Sequence, residues 1–141
     1  MFLDASAVVA ILGREPGYEE IVKRLDAARG PLRVSPLVIF ESVSALARIK
    51  SGKARRKPTQ RGAAEEARRS VLTFVKDGGI EEIAISTEIG RLALAAFAAY
   101  GKGSGNSAQL NFGDCFSYAC AKSLGVSLVY KGNDFSHTDL A

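Results

Sequence analysis

Four acidic residues, Asp4, Glu41, Asp114 and Asp134, stand where carboxylates could act together. Asp4 directly follows the apolar start of the chain, and Asp134 follows the apolar stretch that ends at Tyr130. A carboxylate is among the side chains least often buried unless it is paired or binds a metal ion. Glu41 alone indicates a solvated residue on an exposed helix face, and Asp114 alone an acid that favours its helix dipole. A shared site is favoured because Asp4 and Asp134 are expected at the same edge of the fold as Glu41 and Asp114.

Such a cluster of carboxylates predicts metal-dependent chemistry. Two carboxylates about 4 Å apart repel by roughly 4 kcal/mol at an effective dielectric constant of about 20, so a cluster is costly unless cations hold it. Hard oxygen ligands in an open site suit Mg²⁺ or Mn²⁺. Such a site performs phosphoryl chemistry by activating a water molecule and stabilising charge on the leaving oxygen. His137 is the only histidine in the sequence, which excludes a ribonuclease mechanism that needs two histidines.

The stretches around these acids predict an α/β fold. Short apolar runs predict strands at the start of the chain and at residues 32–34, 83–85 and 126–130. Apolar residues at helical spacing predict helices between them. This alternation is typical of a mainly parallel sheet flanked by helices, and at this length we expect a single domain over residues 1–141. Ligands collect at the carboxyl ends of parallel strands, and all four acids fall at that edge.

Capping residues and periodicity add detail to the helices. Ser35 is predicted to cap a helix that has Pro36 in its first turn, and Gly125 to end the last helix. The spacing of apolar residues assigns Phe40, Phe97 and Phe112 to the core-facing sides of their helices or to positions beside them.

The basic residues are concentrated in one segment. Residues 48–69 carry nine basic and two acidic side chains, a net charge of +7, whereas the whole chain carries +4. A predicted linker between two helices, about residues 50–61, holds the densest part. Such a patch suggests a polyanionic partner, nucleic acid before membrane, although a solvated loop would also explain it.

Other features limit the class of protein. No apolar run approaches the roughly 20 residues that span a bilayer, and the start of the chain lacks the features of a signal peptide. Cys115 and Cys120 lie five residues apart with no histidine beside them, so we expect small core residues and not a metal site. The expected location is a reducing cytoplasm.

Several motifs resemble those of the PIN-domain family, specifically VapC-type ribonuclease toxins. They are FLDASA at residues 2–7, the Glu41 helix after Ser35–Pro36, LNFGDC at residues 110–115 and YKGNDFSHTD at residues 130–139. They span the chain in the family's order. The resemblance implies that Asp4, Glu41 and Asp114 bind metal, with the fourth position at Asp134 or Asn133, of which we choose Asp134. It also implies that the Ser6 hydroxyl forms a hydrogen bond with an active-site carboxylate. A structural role for Ser6 as a helix cap is equally compatible with the sequence.

The resemblance implies a Mg²⁺-dependent endoribonuclease, with Mn²⁺ as a substitute, that is the toxin of a toxin–antitoxin pair. Water activated at the metal site would cleave RNA to leave 5′-phosphate and 3′-hydroxyl ends. It further implies a homodimer, a VapB-type antitoxin that covers the acidic site, and operator DNA bound only through that antitoxin. The residues expected to contact RNA are Lys53, Arg55, Arg56, Lys57 and Arg61.

Two alternatives remain open at this point. A haloacid-dehalogenase-like phosphatase also uses an aspartate after the first strand, but it needs a second aspartate two residues later, where this chain has Ser6. The other alternative is a non-catalytic domain whose acids bind a protein partner or only cap helices.

Overall fold

A four-stranded parallel sheet forms the centre of the protein. The computed structural model describes residues 1–53 and 59–140, with only the backbone of Lys50 and Lys53. The strands are β1 (Phe2–Leu3), β2 (Arg33–Val34), β3 (Glu81–Glu82) and β4 (Leu128–Val129), in the spatial order β3-β2-β1-β4. Every described strand pair is parallel, and Phe2 of β1 pairs with Arg33 on one side and Leu128 on the other. The α/β class with a parallel sheet is confirmed.

Two helices follow each of the first three strands. They are α1 (Ala5–Gly13), α2 (Tyr18–Asp26), α3 (Pro36–Lys53), α4 (Gln60–Asp77), α5 (Thr87–Tyr100) and α6 (Phe112–Leu124). Helix α3 packs mainly against α4, and α5 packs mainly against α6. The Ser35 hydroxyl accepts a hydrogen bond from the backbone N–H of Val38, and Gly125 ends α6 at a φ of 61°, as the sequence predicts. In the described part of the chain, no helix has the length and apolar character to cross a membrane.

The central strand lies at the heart of the core. Phe2 and Leu3 are fully buried, because helices cover the sheet around them. Val34 of β2, Leu128 of β4 and Phe135 in the C-terminal segment pack into the same cluster. Cys115 and Cys120 are buried free thiols, as expected for small core residues.

The third strand lies two residues earlier than the sequence predicts. Backbone N–H groups of Glu81 and Ile83 donate to the carbonyls of Leu32 and Val34, so pairing centres on Glu81–Glu82 and not on residues 83–85. Both glutamates of this edge strand are exposed, and Glu81 forms an ion pair with Arg33 at 3.0 Å. Charges are common on edge strands, where they oppose pairing with other chains. The apolar pattern at residues 83–85 therefore placed the strand after the residues that actually pair.

Three aromatic side chains lie outside the core, contrary to the prediction. Phe40, Phe97 and Phe112 are 70%, 55% and 68% exposed. Helical spacing shows that an apolar stripe exists, but it does not show whether the same chain covers all of it. Among the described side chains of α3, the buried ones are Val38, Ser42 and Leu46.

Candidate active site

The topology of the sheet creates a crevice beside β1. The chain builds β2 and then β3 on one side of β1, and returns to place β4 on the other side. Ligands of open parallel sheets bind outside the carboxyl ends of strands at such a reversal. A cavity of about 560 Å³ is lined there by all four predicted acids. Its other polar and charged lining residues are Ser6, Glu15, Ser44, Arg48, Asn111 and Lys131.

Asp4 is held at the carboxyl end of β1 by the start of α1. It caps this helix, and its Oδ2 accepts hydrogen bonds from the Ser6 backbone N–H at 2.9 Å and from the Ser6 hydroxyl at 2.6 Å. The Ser6 hydroxyl in turn accepts from the backbone N–H of Lys131 at 3.0 Å, just after β4. Asp4 is therefore the cap, and Ser6 connects its carboxylate to the neighbouring strand.

Asp114 has a structural partner as well as a place in the cavity. Its Oδ2 accepts from the backbone N–H of Asn111 at 2.7 Å, and Asn111 Oδ1 accepts from the backbone N–H of Asp114 at 3.1 Å. This reciprocal pair is a capping box at the start of α6. Oδ1 of Asp4 and Oδ1 of Asp114 accept no hydrogen bond from the residues that the structure describes. Each fixed carboxylate thus keeps one oxygen free for a ligand.

Glu41 reaches the same cavity from α3. It is half-buried, not on an exposed face, and its carboxylate lies against Gly113 in the first turn of α6. A β-carbon built on Gly113 would overlap with the Glu41 carboxyl group. This contact sets Glu41 beside Asp114.

The segment after β4 offers two candidates for the fourth position, and they differ in location. Asp134 lines the cavity, whereas Asn133 does not. The backbone carbonyl of Asn133 accepts from the N–H and the hydroxyl of Ser136, at 3.0 and 2.6 Å, and so stabilises the turn. The structure brings Asp134 and not Asn133 to the other acids.

The acids interact through their charges. Burial, followed by the charges of Asp4 and Asp114, raises the pKa of Glu41 to about 7. Burial also raises the pKa of Asp114 to about 6, with further contributions from Asp4 and Asp134. The hydrogen bond from Asn111 and the charge of Lys102 lower the pKa of Asp114 but do not compensate. The cavity is therefore an environment that favours neutralisation of its carboxylates.

The donor set fits a hard divalent cation. It consists of carboxylate oxygens, which Mg²⁺ and Mn²⁺ prefer. Within residues 1–53 and 59–140, no three Asp, Glu, His or Cys side chains already stand in position to hold one ion. Uncompensated carboxylates repel one another, so side-chain rotation would have to bring the free oxygens together around a cation.

Comparisons with known proteins agree with this architecture. The model of the PIN domain matches residues 1–140. The chain belongs to the PIN-domain family. It is 50% identical over 139 residues to a VapC ribonuclease of Rhizobium meliloti. That alignment covers 99% of this chain and 98% of the relative. The chain is 34% identical over 140 residues to ribonuclease VapC42 of Mycobacterium tuberculosis. That alignment covers 99% of this chain and 96% of VapC42.

A solved structure has the same fold. The crystal structure of VapC20 of Mycobacterium tuberculosis, described as a toxin that cleaves the sarcin–ricin loop, superposes with a TM-score of 0.67. The alignment covers 99% of this chain and 95% of VapC20, at 19% identity. At that identity the match supports the PIN-domain fold alone.

Two basic residues near the acids of this PIN domain, Lys131 and Lys102, were not predicted from the sequence, and Arg48 was predicted only as part of the basic segment 48–69. Lys131 and Arg48 line the cavity, and the Lys131 ammonium donates a hydrogen bond to the carbonyl of Pro16. Lys102 acts on Asp114 because the loop after α5 folds back, with the Lys102 N–H donating to the Leu110 carbonyl at 3.1 Å. Lys131 had a usable signal, since it lies two residues after the end of β4, at the same edge of the sheet as Asp4.

The predicted RNA-contacting residues are only partly described. Arg61 lies exposed in the first turn of α4. Arg55, Arg56 and Lys57 lie outside the described residues, as does the side chain of Lys53. The linker is shorter than predicted, because α3 continues to Lys53 and α4 begins at Gln60.

Proposed function

We propose that this PIN-domain protein is a metal-dependent endoribonuclease that hydrolyses RNA phosphodiester bonds, and that it is the toxin of a toxin–antitoxin pair. The observation that carries the proposal is the single cavity lined by Asp4, Glu41, Asp114 and Asp134 at the reversal point of the sheet. The match to named VapC ribonucleases over nearly the whole chain supports the reaction class. All of residues 1–141 act as one nuclease domain in the cytoplasm.

The four acids are the proposed ligands of Mg²⁺, for which Mn²⁺ substitutes. A divalent ion held by these acids would activate water and stabilise negative charge on the leaving oxygen. Ser6 orients Asp4 and the capping box orients Asp114 through their Oδ2 atoms, which leaves the Oδ1 atom of each carboxylate for the ion. The charges of Lys131 and Arg48 attract the phosphate of the substrate to the cavity.

The basic segment binds the RNA backbone. Arg48 lines the cavity, and Arg61 is exposed at the start of the next helix, so described basic side chains lie both at the site and on α4. Lys53, Arg55, Arg56 and Lys57 extend the same stretch in sequence. Contacts of this kind are independent of base sequence and weaken with salt.

The proposed antitoxin is of the VapB type, and it covers the acidic cavity and the groove beside it. This groove, of about 520 Å³, runs between α3 and α4, and half of its lining residues are apolar, among them Val43, Ala47 and Ala64. Phe40, Ser44 and Arg48 line both the groove and the acidic cavity. A segment seated in the groove would therefore also block the acids. Operator DNA binds the complex through the antitoxin alone.

The proposed assembly is a homodimer formed through an apolar face on α5 and α6. We define this apolar face by Leu94, Phe97, Phe112 and Phe116, which line a depression of about 670 Å³. Leu94 is 70% exposed, and Phe97 and Phe112 are 55% and 68% exposed. Contiguous apolar surface of this kind marks interaction sites, and most soluble oligomers are symmetric dimers.

The proposal is tested by RNA cleavage with and without a divalent ion. Purified protein is expected to cleave RNA in Mg²⁺ or Mn²⁺ and to stop in EDTA. An Asp4→Asn variant, purified in parallel, is the control for contaminating nuclease and should be inactive. Equal cleavage in EDTA and in Mg²⁺ by the wild type alone would contradict the metal role. Release of phosphate from a phosphomonoester without RNA cleavage would favour the phosphatase alternative.

A further inference from the structure

Gly113 occupies a position that does not need glycine for its backbone. It is the second residue of α6, it is buried, and its φ is not positive. Glycine is the poorest helix former apart from proline, so a larger residue would suit the helix better. Some other requirement must therefore account for a glycine in the first turn of α6.

The requirement is the Glu41 carboxyl group. A β-carbon on Gly113 would overlap with Oε1, Oε2 and Cδ of Glu41. These atoms come from α3, and they occupy the volume that any other side chain at this position would fill. By contrast, a β-carbon on Gly90, also inside a helix, would have no heavy atom within 4 Å.

We propose that Gly113 is a positioning residue for the metal site: by lacking a side chain, it admits Glu41 to the cavity beside Asp4 and Asp114. The inference rests on the proposed function, because Glu41 is there a metal ligand. Any side chain at position 113 would push the Glu41 carboxylate away from the other acids. The site would then hold a divalent ion with one ligand fewer.

The test is the Gly113→Ala variant, with Mn²⁺ as the probe. The displaced atoms are the far end of a flexible side chain, so the variant is expected to fold and to melt in EDTA at or above the wild-type temperature. Its dissociation constant for Mn²⁺, measured by calorimetry, should rise at least about 10-fold, as for loss of groups that orient metal ligands. Gly90→Ala is the matched control and should leave Mn²⁺ affinity unchanged.

A double-mutant cycle with Glu41→Ala shows whether Gly113 acts through Glu41. In the Glu41→Ala background, adding Gly113→Ala should cost no further Mn²⁺ affinity. In EDTA, the melting temperature should gain more from the alanine in that background than in the wild type, because no carboxylate has to move.

Each outcome decides the inference. Wild-type Mn²⁺ affinity in Gly113→Ala, or an equal loss in both backgrounds, would overturn it while leaving the nuclease proposal intact. Failure of the wild-type protein to bind Mn²⁺ would instead overturn the metal role itself, and the role of Gly113 with it. If Gly113→Ala alone does not fold, recovery of folding when Glu41→Ala is added supports the contact, and failure in both overturns it.

Discussion

The first turn of α6 separates two surfaces of opposite chemistry. Asn111 and Asp114 line the acidic cavity, whereas Phe112 and Phe116 belong to the apolar face. On the acidic side the carboxylates of Asp4 and Asp114 are fixed by hydrogen bonds from their own chain, from Ser6 at 2.6 and 2.9 Å and from Asn111 at 2.7 Å. On the apolar side the main ordered contact is between the rings of Phe112 and Phe116, with centroids 5.0 Å apart.

In the isolated chain, each surface has an unfavourable free energy, electrostatic for the acidic cavity and hydrophobic for the apolar face. The acidic cavity holds like charges in partly buried positions, and a small cation is enough to relieve their repulsion. The apolar face exposes hydrocarbon to water, and only another extended surface can cover it. Residues in neighbouring positions of one helix turn thus belong to two surfaces, one suited to a metal ion and the other suited to a protein partner. Substitutions on the two sides should therefore be separable.

The largest effect is expected on the acidic side, from Asp114→Asn. The asparagine still accepts the hydrogen bond from Asn111, but it removes one charge from the site. RNA cleavage should fall at least about 100-fold, the scale seen when one electrostatic group is removed from an active site. In EDTA the variant should nevertheless melt higher, because the raised pKa of Asp114 means that its ionised form costs stability.

Asp26→Asn provides the matched control. Asp26 is an exposed acid at the end of α2, away from the cavity lining. Its replacement should change neither RNA cleavage nor the melting temperature in EDTA. An Asp114→Asn protein that is destabilised in EDTA, yet still binds Mn²⁺ and cuts RNA, would reduce Asp114 to a helix cap.

The next effect belongs to the apolar face. Phe97→Glu introduces a charge where the proposed dimer would be desolvated, so the dissociation constant should rise at least about 100-fold. Sedimentation at micromolar concentration should then give the mass of a monomer. Leu72→Glu, at a 39% exposed position on α4, is the control and should remain dimeric. A wild-type protein that is monomeric at these concentrations would contradict the dimer.

The acids and the apolar face were not equally predictable from sequence. Asp4 and Asp134 follow strands, and strand ends of a parallel sheet must meet at one edge, so their convergence follows from local pattern. The half-burial of Glu41 depends on a contact between α3 and Gly113 of α6, which no local pattern contains. Phe97 and Phe112 fit a helical stripe, but periodicity does not reveal how much of a stripe the chain itself covers.

The boundaries of the short strands were hard to predict from the sequence for a related reason. Strands of two residues are defined by their backbone pairing more than by their side chains. The edge strand β3 consists of two glutamates, which by composition would not be assigned to a sheet. Helix ends were more predictable, since a capping group acts within a few residues, as Ser86 does on the N–H of Ile89 at 3.2 Å.

The smallest effect is the pH dependence of stability in the absence of metal. Glu41 and Asp114 have their pKa values raised to about 7 and about 6, so between about pH 4 and pH 7 the folded protein binds more protons than the unfolded chain. Stability must then fall as pH rises through this window. Asp139 acts in the opposite direction, because hydrogen bonds from Lys122 and Tyr118 lower its pKa, but its contribution is lost only below about pH 4.

The melting temperature in EDTA should therefore be a few degrees higher at pH 5 than at pH 7, on the scale of about 2–4 °C per kcal/mol for a chain of this size. The double variant Glu41→Gln, Asp114→Asn removes both groups and should lose most of this slope, while Phe97→Glu should keep it. Saturating Mn²⁺ should reverse the dependence, because the ion competes with protons for the carboxylates. A metal-free protein that melts equally or higher at pH 7 would show that neither burial nor the neighbouring charges disfavour ionisation of Glu41 and Asp114. The acidic cavity would then carry no electrostatic cost for a cation to relieve, and its contrast with the apolar face would be one of composition alone.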